Sequence, residues 1–92
     1  MARAIWKFRL EPRRVTHTMP CGATLLHCAV QQGAPHVWAL VDPEAPVTGR
    51  DLLVYGTGHP LPPDPGVYLG TFHLPADPLV FHVFDGGEVD HA

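Results

Sequence analysis

The chain contains no serine. That removes the serine nucleophile and the Ser-His-acid arrangements built on it. Cysteine is nearly absent as well, with Cys21 and Cys28 its two examples. Two thiols make no disulfide scaffold, and no cysteine pair stands at metal-ligand spacing. Cys28 lies in an apolar run and reads as a small buried hydrophobe. Cys21 lies in a "PCG" turn, more exposed and with no activating neighbour. No stretch approaches the ~20 apolar residues of a membrane span. The opening MARAIWKFRL is basic but has no apolar core, so no secretory leader is expected and the protein reads as cytoplasmic. No ten-residue window free of Pro and Gly carries an i, i+3, i+4 apolar stripe, which argues against helices.

Charge is sparse and uneven. Charged residues are 16% of the chain and the net charge is −3. Arg3, Lys7, Arg9, Arg13 and Arg14 against Glu11 give the first fourteen residues +4; eight carboxylates against Arg50 give the remainder −7. A basic segment attracts anions, but charge on an edge strand also discourages edge pairing. The second reading is preferred, so nucleic acid is not expected as the partner.

What the chain does have is punctuation. Eleven prolines and nine glycines separate short runs of Val, Leu, Phe, Tyr and Trp among its 92 residues. That spacing predicts one all-β domain over residues 1–84, a small antiparallel barrel or sandwich of six or seven short strands. The expected runs are Ala4-Leu10, Val15-Met19, Thr24-Gln31, His36-Val41, Asp51-Tyr55, Val67-Leu74 and Leu79-Phe84. "DPEAPVTG" is read as a loop, and residues 85–92 as a polar, flexible tail. So small a domain has little stability in reserve, and a homo-oligomer is expected.

Two hairpins can be put in register. A turn at Gln32-Gly33 sets Gln31 against Ala34, Ala29 against His36, His27 against Trp38 and Leu25 against Leu40. Leu26, Cys28, Val37 and Ala39 then share the other face. A turn at Pro75-Pro78 sets Leu74 against Leu79 and His73 against Val80. One face then holds Tyr68, Phe72, Leu74, Leu79, Phe81 and Val83 as core, and the other Thr71, His73, Val80 and His82.

Seven histidines are many for this length. The registers make His27 and His36, and likewise His73 and His82, diagonal neighbours, but no face supplies a third ligand. No metal and no cofactor is expected, and an enzyme is not; a histidine-based metal enzyme remains the remotest alternative.

The segment Val54-Gly66, VYGTGHPLPPDPG, raises a sharper question. Gly56 and Gly58 permit backbone N–H groups to converge on an anion, while Thr57 and His59 add donors. Arg50 is the nearest cation in sequence. The prolines forbid the helix behind a Walker loop. The competing reading is a strand exit stiffened by proline. On the binding reading Gly56, Gly58, Arg50, Thr57 and His59 hold phosphate, and Trp38 or Tyr55 stacks a base.

"IWKF" (Ile5-Phe8), "WALVDPEAP" (Trp38-Pro46), "GTGHPL" (Gly56-Leu61), "YLGTFH" (Tyr68-His73) and "LVFHVF" (Leu79-Phe84), in this order, resemble a family of small phage and prophage proteins. The likeness spans Ile5 to Phe84. Gln32-Gly33 stands where that family usually has Asn-Gly, and the tail is longer. The resemblance carries no catalytic residue with it. It implies a phage accessory protein in a bacterial cytoplasm, for which an oligomeric sponge of an anionic small molecule, such as a cyclic nucleotide immune signal, is the leading expectation. A module that inhibits a host protein, or a minor phage structural or assembly component, is the alternative.

Overall fold

The computed structural model describes residues 2–11, 13–76 and 78–89. Seven strands follow one another: β1 (Ala4–Arg9), β2 (Thr16–Pro20), β3 (Thr24–Gln31), β4 (Ala34–Val41), β5 (Val47–Gly56), β6 (Val67–His73) and β7 (Val80–Val89). They form two sheets, ordered β1-β4-β3 and β2-β5-β7-β6, with every neighbouring pair antiparallel. The fold is all-β with antiparallel strands as expected, and of the two expected forms, barrel or sandwich, it takes two separate sheets. Among the described residues no helix is long and apolar enough to cross a membrane.

β4 shows why these residues make a two-layer fold. Pro35, Val37, Ala39 and Val41 are buried while Ala34, His36, Trp38 and Leu40 alternate with them on the outer face, the period-2 pattern of a strand with one covered side. From the facing sheet, Leu52, Phe72 and Val83 meet Cys28 and Val37 with Leu10 in one apolar cluster. Met19 and Ala23 meet Ala39 and Val41 in a second, and Phe8 and Leu25 touch both. The layers approach closely at β3 and β6, where the Cys28 Sγ lies 2.7 Å from where a Cβ on Gly70 would sit.

The β3–β4 hairpin has the expected turn. Gln32 and Gly33 have φ of 53° and 78°, positive at both central positions as a type I′ turn demands. The pairs Gln31–Ala34, Ala29–His36 and His27–Trp38 form as expected, but a bulge at Leu26 pairs Leu25 with Ala39 instead of Leu40. Leu26 is thereby turned out and exposed, not core. Gln32 is the one non-glycine residue with positive φ among those described. Replacing it with asparagine, which tolerates this conformation, is expected to raise stability by about 1 kcal/mol. Thermal unfolding checks this, as a midpoint rise of roughly 4–8 °C for a domain of this size.

The β6–β7 pairing also matches the expected register at His73–Val80, Phe72–Phe81 and Thr71–His82. A second bulge, at Leu69, then changes the face of what precedes it. Tyr68 pairs with Phe84 and is exposed on the outer face, against the expectation that it belongs to the core.

Two boundaries differ from expectation by more than two residues. β5 begins at Val47, inside the segment read as a loop, because Thr16–Pro20 pairs with it as far as Val47. β7 runs on through Val89, five residues beyond the expected end of the domain at Phe84. Residues 85–89 pair with β5, and a bulge between Asp51 and Leu52 absorbs the extra residue opposite. Their side chains explain why polar residues stay in a strand. Asp85 takes both Arg50 Nε (2.9 Å) and Nη2 (2.6 Å), while Arg50 Nη1 donates to the Ala23 carbonyl at 2.8 Å. The amide of Gly22 donates to Glu88 at 3.0 Å. The β2–β3 turn is thus held by the end of β7. The rest of the expected tail, residues 90–92, lies outside the described residues.

Glu88 also governs Cys21. A hydrogen bond to the Glu88 carboxylate, and then its charge, push the thiol above its usual range although Cys21 is exposed. Cys21 is therefore expected to alkylate with iodoacetamide more slowly than a free peptide thiol near neutral pH, and faster after Glu88→Gln. Mass spectrometry of the time course checks both rates.

His17 is a buried histidine with a structural role. Its Nε2 accepts the Glu11 amide at 3.0 Å, and its Nδ1 lies 3.2 Å from the Val15 carbonyl. An Nδ1–H tautomer satisfies both contacts and ties the β1–β2 connection to the sheet.

Candidate functional site

β5 and β6 run parallel, each pairing with β7 between them. The chain leaving Gly56 must return to the other end of the sheet before Val67 can start beside Asp85. The inner face is filled by the core, so residues 57–66 cross the outer face. Four residues along β7 and two strands across make a span of roughly 17 Å. Ten residues in the extended form that proline favours reach about 31 Å. The crossover is longer than its span and stands away from the sheet.

The space this leaves is a cavity of about 310 Å³. The crossover contributes Gly56, Thr57, Gly58, His59 and Leu61, and the sheet contributes Tyr55, Tyr68, His82 and Phe84. The rings are in mutual contact: Phe84 meets Tyr55 at 5.7 Å and Tyr68 at 5.6 Å between centroids, both edge to face. The His59 ring lies over Gly56, within 2.9 Å of where a Cβ there would be.

A chain of hydrogen bonds runs along one wall. Thr57 Oγ1 is 2.7 Å from His82 Nε2, Thr71 Oγ1 is 3.0 Å from His82 Nδ1, and the Tyr68 hydroxyl is 2.5 Å from Thr71 Oγ1. Thr57 Oγ1 also donates to the Val80 carbonyl at 3.2 Å. With its one proton committed there, Thr57 accepts from His82 Nε2–H. His82 Nδ1 then accepts from Thr71, and Thr71 accepts from Tyr68. This order leaves the Tyr68 oxygen with free lone pairs as an acceptor.

Of the residues expected to form the site, Tyr55, Gly56, Thr57, Gly58 and His59 are together here. Arg50 and Trp38 are not. Arg50 lies six residues back along β5, roughly 20 Å away at strand spacing, with its guanidinium committed to Asp85 and Ala23. Its side chain is 13% exposed. Trp38 is on β4, in the other sheet. The expected anion cradle is also changed: the Thr57 amide donates to the Val80 carbonyl at 2.9 Å and the His59 amide to Gly56 at 3.0 Å. Those N–H groups shape the turn.

Sequence reasoning missed Tyr68, His82, Phe84 and Leu61. His82 and Thr71 were placed on the outer face by register, a usable signal. Tyr68 was hidden by the bulge at Leu69. Among the described residues no group of three or more His, Cys, Asp or Glu side chains is placed to hold a metal ion.

No curated protein and no solved structure matches the chain. A family profile described as a domain of unknown function (DUF7352) matches residues 1–91, nearly the whole chain, and the chain belongs to that family.

Proposed function

We propose that this member of the family is a binding protein whose cavity beneath the 57–66 crossover takes a planar ring with a hydrogen-bonding edge, of the nucleobase class. The observation that carries the reading is the meeting of Tyr55, Tyr68 and Phe84 in one cavity with Thr57 and His82, whose hydrogen bonds run on through Thr71 to Tyr68. Aromatic rings supply stacking area, and a few placed polar groups supply orientation, the usual division of labour in small-molecule sites. The cavity is near the small end for such pockets, with room for one base and its sugar. In the phage setting that the motif resemblance implies, the protein sequesters a nucleotide signal in the bacterial cytoplasm. A cyclic di- or trinucleotide then needs one cavity per base, from two or more copies of the chain. Phosphates sit outside the ring pocket, against cations supplied by a neighbouring copy rather than by Arg50.

Thermal-shift titration with nucleosides and with cyclic di- and trinucleotides tests this. A ligand present at a hundred times its Kd stabilises by about 2.7 kcal/mol, a rise of roughly 10 °C or more for a domain of this length. Phe84→Leu and His82→Phe are expected to abolish the rise. Unchanged midpoints with every compound at saturating concentration would sink the proposal.

A second reading, as a protein-interaction module or self-assembling subunit, rests on exposed apolar side chains at strand ends and edges. Ile5, Val47 and Val67 are 62%, 68% and 72% exposed. Solution mass by light scattering separates the cases: a stable monomer removes self-assembly and with it the paired-cavity form of the proposal.

A further inference from the structure

The outer face of the β1-β4-β3 sheet carries a second constellation, on the opposite side of the molecule from the cavity. Registers place Ile5, Lys7 and Arg9 of β1 beside Leu40, Trp38 and His36 of β4, with Thr24, His27 and Ala29 of β3 beyond them. Trp38 is the centre of this surface. The His27 ring lies 6.0 Å from it on one side and the His36 ring 6.1 Å on another, both tilted. His36 Nδ1 is fixed by the Ala34 carbonyl at 2.9 Å, so that ring holds its orientation. Lys7 reaches across the face from β1 to Gln31 on β3, Nζ to Oε1 2.6 Å. Arg9 is exposed and loosely paired with Glu11 at 3.6 Å. None of the strand residues on this face is an aspartate or glutamate, although the protein as a whole is acidic.

We propose that this face binds single-stranded nucleic acid, with Trp38 as the base-stacking platform flanked by His27 and His36, and Lys7 and Arg9 as phosphate contacts. Three observations favour that occupant. The charge is complementary to a phosphate backbone, and two copies of this basic face would repel each other, which disfavours a face-to-face pairing of this chain. A shallow sheet bearing aromatic rings among cations is how sequence-tolerant proteins hold unpaired bases, since every base has a π-face. The described elements are all strands, so no helix is present to enter a duplex groove, and this face is a three-stranded sheet. The residues are far apart in sequence and meet only in the sheet, so the basic N-terminal strand alone read as edge protection.

The test uses the full chain carrying Trp6→Phe, which leaves Trp38 the sole indole. A short oligothymidylate, an oligouridylate and a duplex of equal length are titrated by fluorescence anisotropy and by Trp38 emission, at low and moderate salt. Single strands are expected to bind, to quench Trp38, and to bind more tightly than the duplex. Trp38→Leu is expected to weaken binding about tenfold or more. Lys7→Ala with Arg9→Ala is expected to flatten the salt dependence by about 1.4, at ~0.7 for each phosphate no longer neutralised. The DNA and RNA arms identify the strand preferred. Absence of binding at low salt, equal binding of the duplex, or quenching that follows protein concentration without any oligonucleotide would each overturn the proposal. If Trp38→Leu fails to fold by circular dichroism, the quench and the salt slope decide the matter alone. The cavity proposal is untouched by failure here, since its variants lie in the other sheet.

Discussion

Asp85→Ala is expected to destabilise the protein by about 3 kcal/mol, because it leaves the Arg50 guanidinium shielded from water without its hydrogen-bonded counter-charge, with only the charge of Glu88 still acting on it. The pair is bidentate and its side chains are 13% and 17% exposed. Domains of this length have about 5–14 kcal/mol in total, so the loss is a large share, and it corresponds to a midpoint drop of roughly 12–24 °C. Asp85 also accepts the Gly87 amide at 2.8 Å, and Arg50 holds Ala23; the change therefore loosens both the end of β7 and the β2–β3 turn. Arg50→Met is expected to do comparable harm, by stranding the carboxylate. The double change Arg50→Met, Asp85→Leu is expected to recover much of the loss, because two matched apolar side chains carry no desolvation penalty. Chemical denaturation of the four proteins checks the cycle; additive losses would contradict the pairing.

The same pair sets the acid limb of the stability curve. Burial, the largest single influence on Asp85, raises its pKa, but the Arg50 hydrogen bonds, the Gly87 amide and the Arg50 charge together outweigh it and hold the carboxyl below its usual range. Glu88 is lowered likewise, chiefly by the Gly22 amide. A carboxyl depressed in the folded state binds fewer protons there than in the unfolded chain, so stability rises with pH through that window. The contribution is complete above the unfolded carboxyl value, near 3.9 for aspartate, and is lost as pH falls through the folded one. Asp85→Asn is expected to flatten this limb, measured as the midpoint against pH in the acid range.

The second large effect belongs to Gly66, where the crossover rejoins the sheet. Its φ is +96°, and a Cβ there would lie well inside van der Waals contact of the Asp85 carbonyl oxygen. Alanine is thus opposed twice: by the left-handed backbone, at about 1–2 kcal/mol, and by a main-chain atom that β7 holds in its ladder. The combined loss is expected to be about 3–5 kcal/mol, from backbone strain and overpacking. Gly33→Ala is the control. Gly33 has a similar φ of +78° with nothing within 4 Å of a Cβ, so its alanine variant bears the conformational cost alone. Equal unfolding midpoints for the two variants would show that the approach to Asp85 does not matter. Because Gly66 anchors the strap over the cavity, ligand-induced stabilisation should be lost in Gly66→Ala but retained in Gly33→Ala.

Several elements were legible before the fold was known, for local reasons. Pro and Gly end strands where they stand, and alternation in β4 marks its buried face, so the seven runs fell in place. The Gln32-Gly33 turn set a register that holds to His27. The candidate site was half legible. Gly56 to His59 were visible as an unusual run, but Tyr68 was assigned to the core because a period-2 count cannot foresee the bulge at Leu69. Arg50 was linked to the loop by nearness in sequence, although six positions along β5 separate it from Gly56.

Composition and alternation therefore determined that this chain is a small antiparallel β-structure, because strand propensity, turn chemistry and face polarity are local properties. Tertiary structure alone decided what those strands bring together. It turned the acidic residues after Phe84 into the anchor of the β2–β3 turn, since Asp85 and Glu88 meet Arg50 and Gly22 only across the sheet. It made the proline-rich segment a strap over a cavity, since β5 and β6 came out parallel with β7 between them. And it gathered Lys7, Arg9 and Trp38 on one surface, since β1 pairs with β4 rather than with its neighbour in the chain. Such long-range pairings rest on the summed burial of both sheets, which no short segment of the sequence encodes.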